Sequence, residues 1–363
     1  MQRLIIILST LLFANYSWGI TLRVDITPSC EPISICSNSE IFDLGTHREI
    51  RYSGVIDPIE IVGEEIRLGN LGLFSGPIFI RSSLLIKVNN SPYRGDIEIS
   101  KIDGRIKVIN VIDLEDYLYG VIKKEVPGSF PFEAIKAQAV VSRTFALANL
   151  GKHGDFDLCS NCHCQMYGGV LAEDIWTIIA VRETQGEILV YNGKIADTPY
   201  HSTCGGHTDS SELVWSGKKD IPYLRGVRCG FCYDSPHYTW QEEIPINEIS
   251  KALNIGNIYS IEILEVTPYG RVQRLLITHS KGETKISGRD LREILGLDVI
   301  KSTRFTCRRH GDMILFSGYG FGHGVGMCQF GAKEMAKAGY TYKEILEHYY
   351  PGTELSHIEG ICH

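Results

Sequence analysis

Apolar and polar residues alternate at Leu22, Val24 and Ile26, a period of two that predicts a half-buried strand. Short apolar runs at Ile78 to Ile80, Leu84 to Val88, Ile97 to Ile99 and Ile106 to Ile109 carry the β signal to about Asn110. Asn89-Asn90-Ser91-Pro92 and Asp103-Gly104 are turn sequences, and the second predicts a hairpin between its two flanking runs. The period then changes. Leu114 to about Lys124 reads as a helix capped by Asp113, with Asp116 in the acceptor position of a capping-box-like arrangement, and Pro127-Gly128 stop it. A second helix is expected with Ser129 as its cap and Pro131 and Glu133 in its first turn. Its stripe of Ala134, Ala137, Val141, Phe145 and Ala148 is made mostly of small residues, which predicts a closely packed, buried helix.

Farther along, Gly186 to Tyr191 and Lys194 to Thr198 flank Asn192-Gly193, a favoured two-residue hairpin turn. Strands are expected at Ile261 to Val266 and Val272 to His279, then a turn at Lys281-Gly282 and a short helix from Arg289 to Leu295 ended by Gly296. From Gly318 to Met327 glycine takes every second place. On a strand that leaves one face bare for a flat ligand or another backbone, with Tyr319, Phe321, His323, Val325 and Met327 on the other face. The spacing is not that of a dinucleotide pyrophosphate loop. Gln329 to Ala338 reads as a helix closed by Gly339, and Thr341 with Glu344 forms a capping box for a last helix ending at Tyr349. The order predicts an α+β protein, with a β-rich amino-terminal part at 20–107 followed by a mixed α/β domain at 108–363.

The 363 residues leave room for two domains, and 44% hydrophobic with 22% charged residues is a globular composition that excludes disordered and collagen-like classes. A net charge of -7 with no basic run gives no footprint for nucleic acid. Met1 to Gly19 has Arg3, an apolar core from Leu4 to Phe13 and small residues Ser17 and Gly19, which fits a secretory signal cleaved after Gly19. The apolar core is short for a bilayer span, and no later segment has the length of a membrane helix. An exported protein, in the periplasm, cell wall or extracellular space, is expected.

Eleven cysteines are many. In an exported chain their first reading is disulfides, and Cys30 and Cys36 in a Pro-containing loop look like a local bridge. The set His153, Cys159, Cys162, His163 and Cys164 is zinc-like, because a tetrahedral site takes thiolates and imidazoles from a loop that turns back on itself. A disulfide from Cys159 with two surface histidines is the alternative. Cys204, His207, Cys229 and Cys232, with His237 nearby, could form a second zinc site or disulfides. Ser202 beside His201 invites a hydrolase reading, but strand neighbours point to opposite faces and cannot share a proton. Glu125 stands at the break between the two helices. There the carbonyl end of a helix dipole raises a carboxyl pKa and suits a general acid; the alternative is a solvated Glu following Lys123 and Lys124.

Three blocks bear on the choice: YLYGVIKKEVPGSFPFEAIKAQAVVSRTFAL, then YHSTCGGHTDSSELVW with YLRGV, then GYGFGHGVGMCQFGAKEMAKAGYTYKEILEHYYPGTEL. In order and wording they resemble the SpoIID/LytB family of peptidoglycan-acting proteins, over about Val108 to Leu355. The resemblance implies a SpoIID-type domain with a central cleft and a lytic transglycosylase that cleaves MurNAc to GlcNAc bonds of denuded glycan strands, leaving 1,6-anhydro ends. The family's catalytic Glu falls on Glu125. Cleft walls are expected from Arg143, Gln165, Tyr167, His201, Ser202, His323 and Gln329, the alternatives being that His323 is a packed histidine and that Arg143 pairs with a carboxylate within the core. Some members bind zinc with two His and two Cys, which implies His153, Cys159, His163 and Cys164, with Cys162 as a rival. Cysteines 204, 229, 232, 307 and 328 depart from the commoner family wording. The LytB name keeps open a second class, a glycan-binding protein that stimulates a cell-wall amidase.

Overall fold

The computed structural model describes residues 19–29, 32–215 and 219–360. The expected leader therefore lies outside the described residues except for Gly19, and so does Cys30 of the expected Cys30–Cys36 bridge. Strands β1 (Thr21–Asp25), β2 (Ile33–Asp43), β3 (Arg48–Val62), β4 (Glu65–Leu68), β5 (Leu73–Phe74), β6 (Ile78–Arg81), β7 (Ile86–Val88), β8 (Ser91–Tyr93), β9 (Asp96–Ile102) and β10 (Arg105–Asp113) open the chain. With β11 (Leu158–Cys159), which lies parallel to β1, they build one sheet in the order β11-β1-β10-β9-β6-β2-β3-β4-β5, and β7 pairs with β2 and β8. Asn89-Asn90 joins Val88 to Ser91 and Asp103-Gly104 joins Ile102 to Arg105, all four turn residues at positive φ. That conformation matches the twist of the flanking strands. The long β2–β3 hairpin is not readable from periodicity, because two inward positions of β2 are Ser37 and Ser39. Both are buried, and their hydroxyls bond to each other at 2.7 Å in place of an apolar pair.

Helices α1 (Leu114–Glu125) and α2 (Phe132–Ala148) follow β10 directly. Asp113 caps α1 by accepting from the Glu115 amide. The cap of α2 is Pro131, without a side-chain bond, so Ser129 lies outside the helix and the expected cap shifts by two residues. Burial on nearly every side explains the composition of α2. Ala134, Ile135, Ala139 and Leu147 face the core under the sheet, while Ala137, Val140 and Val141 face a second core. The first core also holds Ile41 and Ile97 from the strands and Leu118 and Val121 from α1, and residue 107 falls inside β10. Sheet and helix pair are thus built on one apolar cluster.

Next come α3 (Ile175–Glu183), the hairpin β12 (Glu187–Tyr191) and β13 (Lys194–Ile195), β14 (Tyr200–His201) and α4 (Ser211–Val214). The chain then makes a unit of its own: β15 (Thr239–Pro245), α5 (Ile246–Ala252), β16 (Ile258–Val266), β17 (Val272–His279), β18 (Gly282–Ser287), α6 (Gly288–Leu295), β19 (Phe305–His310) and β20 (Met313–Tyr319). Two three-stranded sheets enclose a third core containing Trp240, Ile249, Leu275, Ile277, Phe305 and Phe316. The turn between β17 and β18 is Ser280-Lys281, since Gly282 already pairs with His279. The chain returns through β21 (Met327–Cys328), α7 (Gln329–Lys337), α8 (Tyr342–Tyr349) and β22 (Glu354–His357). The Thr341–Glu344 capping box is formed.

The glycine alternation is not a strand. β20 ends at Tyr319, and Gly320, Gly322, Gly324 and Gly326 all take positive φ. Their missing side chains admit other parts of the chain: a Cβ on Gly322 would lie 2.8 Å from that of His201, and one on Gly326 would lie 1.9 Å from the Pro199 carbonyl oxygen. Backbone at Thr203 and Pro199 and the side chains of His201 and Arg271 fill the space beside these glycines. Gly326→Ala is therefore expected to destabilise the protein far more than Gly193→Ala, which shares its backbone region at φ 72 but has nothing within 4 Å. The second change carries only the left-handed cost of about 1–2 kcal/mol, and equal losses in thermal unfolding would contradict this account of the loop.

Candidate active site

Glu125 is the last residue of α1, and its half-buried side chain turns back under the loop that follows Cys164. One carboxylate oxygen accepts from the Met166 amide at 2.7 Å, and the side chains of Tyr200 and Gln329 also bond to it. Burial pushes its pKa up to about 7 against the pull of these three bonds. The cause is thus desolvation, with the helix end that the sequence suggested not needed.

The three contacts are held from behind. Tyr200 Oη accepts from Gln165 Nε2 at 3.1 Å, so its own proton is left for Glu125. Gln165 is buried, with Nε2 also on the Ser142 carbonyl and Oε1 accepting from Tyr117 Oη. Gln329 Nε2 reaches Gln138 Oε1 at 3.3 Å, and Gln138 in turn donates to Ser142 Oγ. Of the expected cleft residues, Gln329 therefore meets Glu125 directly and Gln165 acts through Tyr200. Tyr200 itself has no role predicted from the sequence, although alternation on a short strand puts it on the face opposite His201.

The others lie elsewhere. Arg143 has no exposed surface; Nε and Nη2 form a two-pronged ion pair with Glu115 at 2.7 Å each, and the carbonyls of Val181 and Glu187 take further bonds. It is a core residue and not a cleft wall, because a guanidinium with no exposed surface cannot reach a sugar. Tyr167 is buried and donates to Asn110 Oδ1 at 2.8 Å. His201 bonds through Nδ1 to the Val325 carbonyl, and His323 donates from Nε2 to the Tyr200 carbonyl at 2.8 Å. Burial holds the His201 pKa well below the ordinary range and lowers that of His323 to about 3, so both are neutral. They brace β14 behind Tyr200. Ser202 accepts the Phe330 amide through its carbonyl, at the start of α7.

Two donor clusters stand out among the described residues. His153, Cys159, His163 and Cys164 bring their ligand atoms within 4.8 Å of one another, while Cys162 is exposed and outside the set. The sulfur of Cys164 lies 3.1 Å from His153 Nε2 and 3.5 Å from His163 Nδ1. Zinc bonds of about 2.3 Å to sulfur and 2.0 Å to nitrogen place such donors about 3.5 Å apart on a tetrahedron, so the set fits zinc. The hydrogen bond from Cys164 lowers the Cys159 pKa to about 5 and raises that of its partner. The second cluster is Cys204, Cys229, Cys232 and Cys328. Cys328 takes the place expected for His207, whose ring stacks on Tyr269 with Nδ1 on the Thr208 carbonyl. His237 packs on Phe321, and Cys307 lies half-buried on β19.

Two surface concavities, of about 690 and 510 Å3, are lined largely by residues of the 239–319 unit and its junction, including Trp240, Arg304 and Tyr319 in one and His207, Arg228 and Tyr269 in the other. Glu125 lines neither.

Comparison with known proteins divides the chain in the same way. A family profile described as Stage II sporulation protein matches residues 102–191, the span holding Glu125 and the His–Cys cluster. The stage II sporulation protein D of Bacillus subtilis is 34% identical over 277 residues, covering 69% of this chain and 76% of that protein. The chain belongs to the SpoIID family. An uncharacterized protein of Brachyspira hyodysenteriae is similar along 94% of both chains, at 32% identity over 356 residues. The amidase enhancer of Bacillus subtilis is 29% identical over 289 residues, 66% of this chain and 40% of its own. A domain of unknown function, DUF8618, matches residues 228–326, so this SpoIID-family chain carries it where the separate third core lies. Among the described residues no helix is long and apolar enough to cross a membrane.

Proposed function

We propose that this SpoIID-family protein acts outside the cytoplasm on the peptidoglycan glycan strand, as a lytic transglycosylase of MurNAc to GlcNAc bonds with Glu125 as its one acid and base. The supporting observation is a carboxyl raised to about 7 by burial and steered by an amide, a phenol and a carboxamide. Glycoside hydrolases use two carboxyl groups, one to protonate the leaving oxygen and one to attack or to activate water. A single group suffices when the substrate supplies its own nucleophile. Protonated Glu125 gives its proton to the glycosidic oxygen, and the carboxylate then takes the proton of the muramic C6 hydroxyl as that oxygen closes on the oxocarbenium-like carbon. Holding both reactants in one sugar adds the advantage of an intramolecular step. Tyr200 and Gln329 orient the carboxyl throughout.

Zinc on His153, Cys159, His163 and Cys164 would brace the loop that leads to the Met166 amide, and the proton steps do not use it. The starting state is the protonated acid, present below pH 7 and lost above it. kcat/KM is therefore expected to fall about tenfold per pH unit on the alkaline side of an apparent pKa near 7; a profile flat from pH 6 to 9 would remove Glu125 as the acid.

A second reading, a glycan-binding protein that stimulates a cell-wall amidase, draws its support from the similarity to an amidase enhancer. Incubation with denuded strands separates the two. The first yields anhydro-muramyl ends by mass spectrometry. The second yields none, and raises the turnover of an added amidase.

A further inference from the structure

We propose that Cys204, Cys229, Cys232 and Cys328 hold one zinc ion in a closed four-thiolate site that staples both ends of the 239–319 unit to the helices beneath Glu125. All four residues have no exposed surface, and their sulfurs lie within 4.8 Å of one another, with Cys204 and Cys232 at 3.5 Å. Two sulfurs on one tetrahedral zinc lie about 3.8 Å apart. A disulfide needs about 2.05 Å, and all four cysteines are free. The sulfur ligands of a multi-iron cluster sit farther apart than this set allows.

Backbone amides point at two of the sulfurs. Cys328 Sγ accepts from the amides of Cys204 and Gly331, both at 3.3 Å, and Cys204 Sγ accepts from the Gly206 amide at 3.4 Å. Tyr349 Oη lies 3.2 Å from Cys229 Sγ. Such outer bonds orient metal ligands and spread their charge. Gly331 is needed for the approach, since a Cβ there would meet Cys229 Sγ at 2.8 Å.

A buried cation adjoins the cluster. Arg271, just before β17, is 1% exposed; its Nη2 donates to the Cys204 carbonyl, Nε forms a long ion pair with the buried Asp209 at 3.9 Å, and Nε and Nη1 have no hydrogen bonds. A buried cation so lightly paired is costly. Zinc entering the site displaces four thiol protons to solvent and leaves a core of charge minus two beside this guanidinium. The bonds formed are four zinc–sulfur bonds, with no redox change.

The position gives the site its role. Cys232 precedes the 239–319 unit, Cys328 follows it, and Cys204 lies on the segment that bridges Thr203 to Phe321. Cys328 is joined to Gln329, and Cys204 follows Tyr200 on the same segment, so the staple also fixes the two side chains that meet Glu125.

Metal content of the purified chain tests this without any activity assay. The Cys159→Ser/Cys164→Ser variant is expected to retain one equivalent of zinc through gel filtration, and its cobalt(II) derivative to show the strong visible and thiolate charge-transfer bands of a four-sulfur tetrahedron. Adding Cys229→Ser/Cys232→Ser should abolish both signals. A Cys159→Ser/Cys164→Ser chain without metal, or a non-reduced denatured mass showing these four cysteines in disulfides, would overturn the proposal. That first variant leaves the four-thiol set intact, so its metal content is decisive even if removing the set prevents folding.

Discussion

Glu125→Gln is expected to lower kcat on denuded glycan strands by on the order of a thousandfold, within the range a positioned acid–base group supplies. The same change should make the protein more stable above neutral pH. Folding raises the Glu125 pKa from the ordinary 4.5 to about 7, so the folded chain holds the proton more tightly than the unfolded one. Stability therefore declines as pH rises from 4.5 through 7, and the penalty is complete above that window. Glutamine does not titrate, and the gap between variant and parent should open over the same interval toward roughly 3 kcal/mol, at 1.36 kcal/mol per pKa unit. Denaturant unfolding at pH 4 and pH 8, beside single-turnover cleavage, checks both parts. A variant that keeps its activity, or loses it together with its fold, would break the link between this carboxyl and the chemistry.

The largest effect on stability is expected at Arg143. Arg143→Met strands Glu115, which is 7% exposed and would retain the Gly186 amide at 3.2 Å among its named partners. Removing one member of a buried pair typically costs about 3–5 kcal/mol. Breaking the exposed Arg274–Glu265 pair should cost under about 1 kcal/mol. Chemical denaturation of Arg143→Met and Arg274→Met gives the comparison. Parental stability with a raised KM for glycan would return Arg143 to the cleft wall.

What can be read from the chain is local. The Asn-Asn, Asp-Gly and Asn-Gly turns, the Asp113 cap and the Thr341–Glu344 box all depend on neighbours within a few residues, and all are formed where expected. The β2–β3 hairpin is hidden because Ser37 and Ser39 satisfy each other in the interior. The glycine run resembles a strand in sequence because period two also serves a loop that takes positive φ at every second residue. In the site, the place of Glu125 at the helix break leaves an acid and a solvated Glu both open and the family resemblance picks out the first, while the desolvation that governs it cannot be read, since burial depends on the loop at Met166. Arg143 reads either as a cleft wall or as the partner of a core carboxylate, and only the fold names that partner as Glu115. The thiol cluster needs Cys328, which lies 124 positions from Cys204, and no spacing rule joins them across an intervening unit. His207, adjacent to the motif, is the nearer candidate, but its ring stacks on Tyr269 outside the four-sulfur set.

Digestion of denuded glycan strands in water enriched with oxygen-18 tests the central claim most directly. If Glu125 serves alone and the muramic C6 hydroxyl is the trap, the wild-type products are anhydro ends carrying no label. Reducing ends that carry oxygen-18 would show that water attacks, and would contradict the single-carboxyl mechanism.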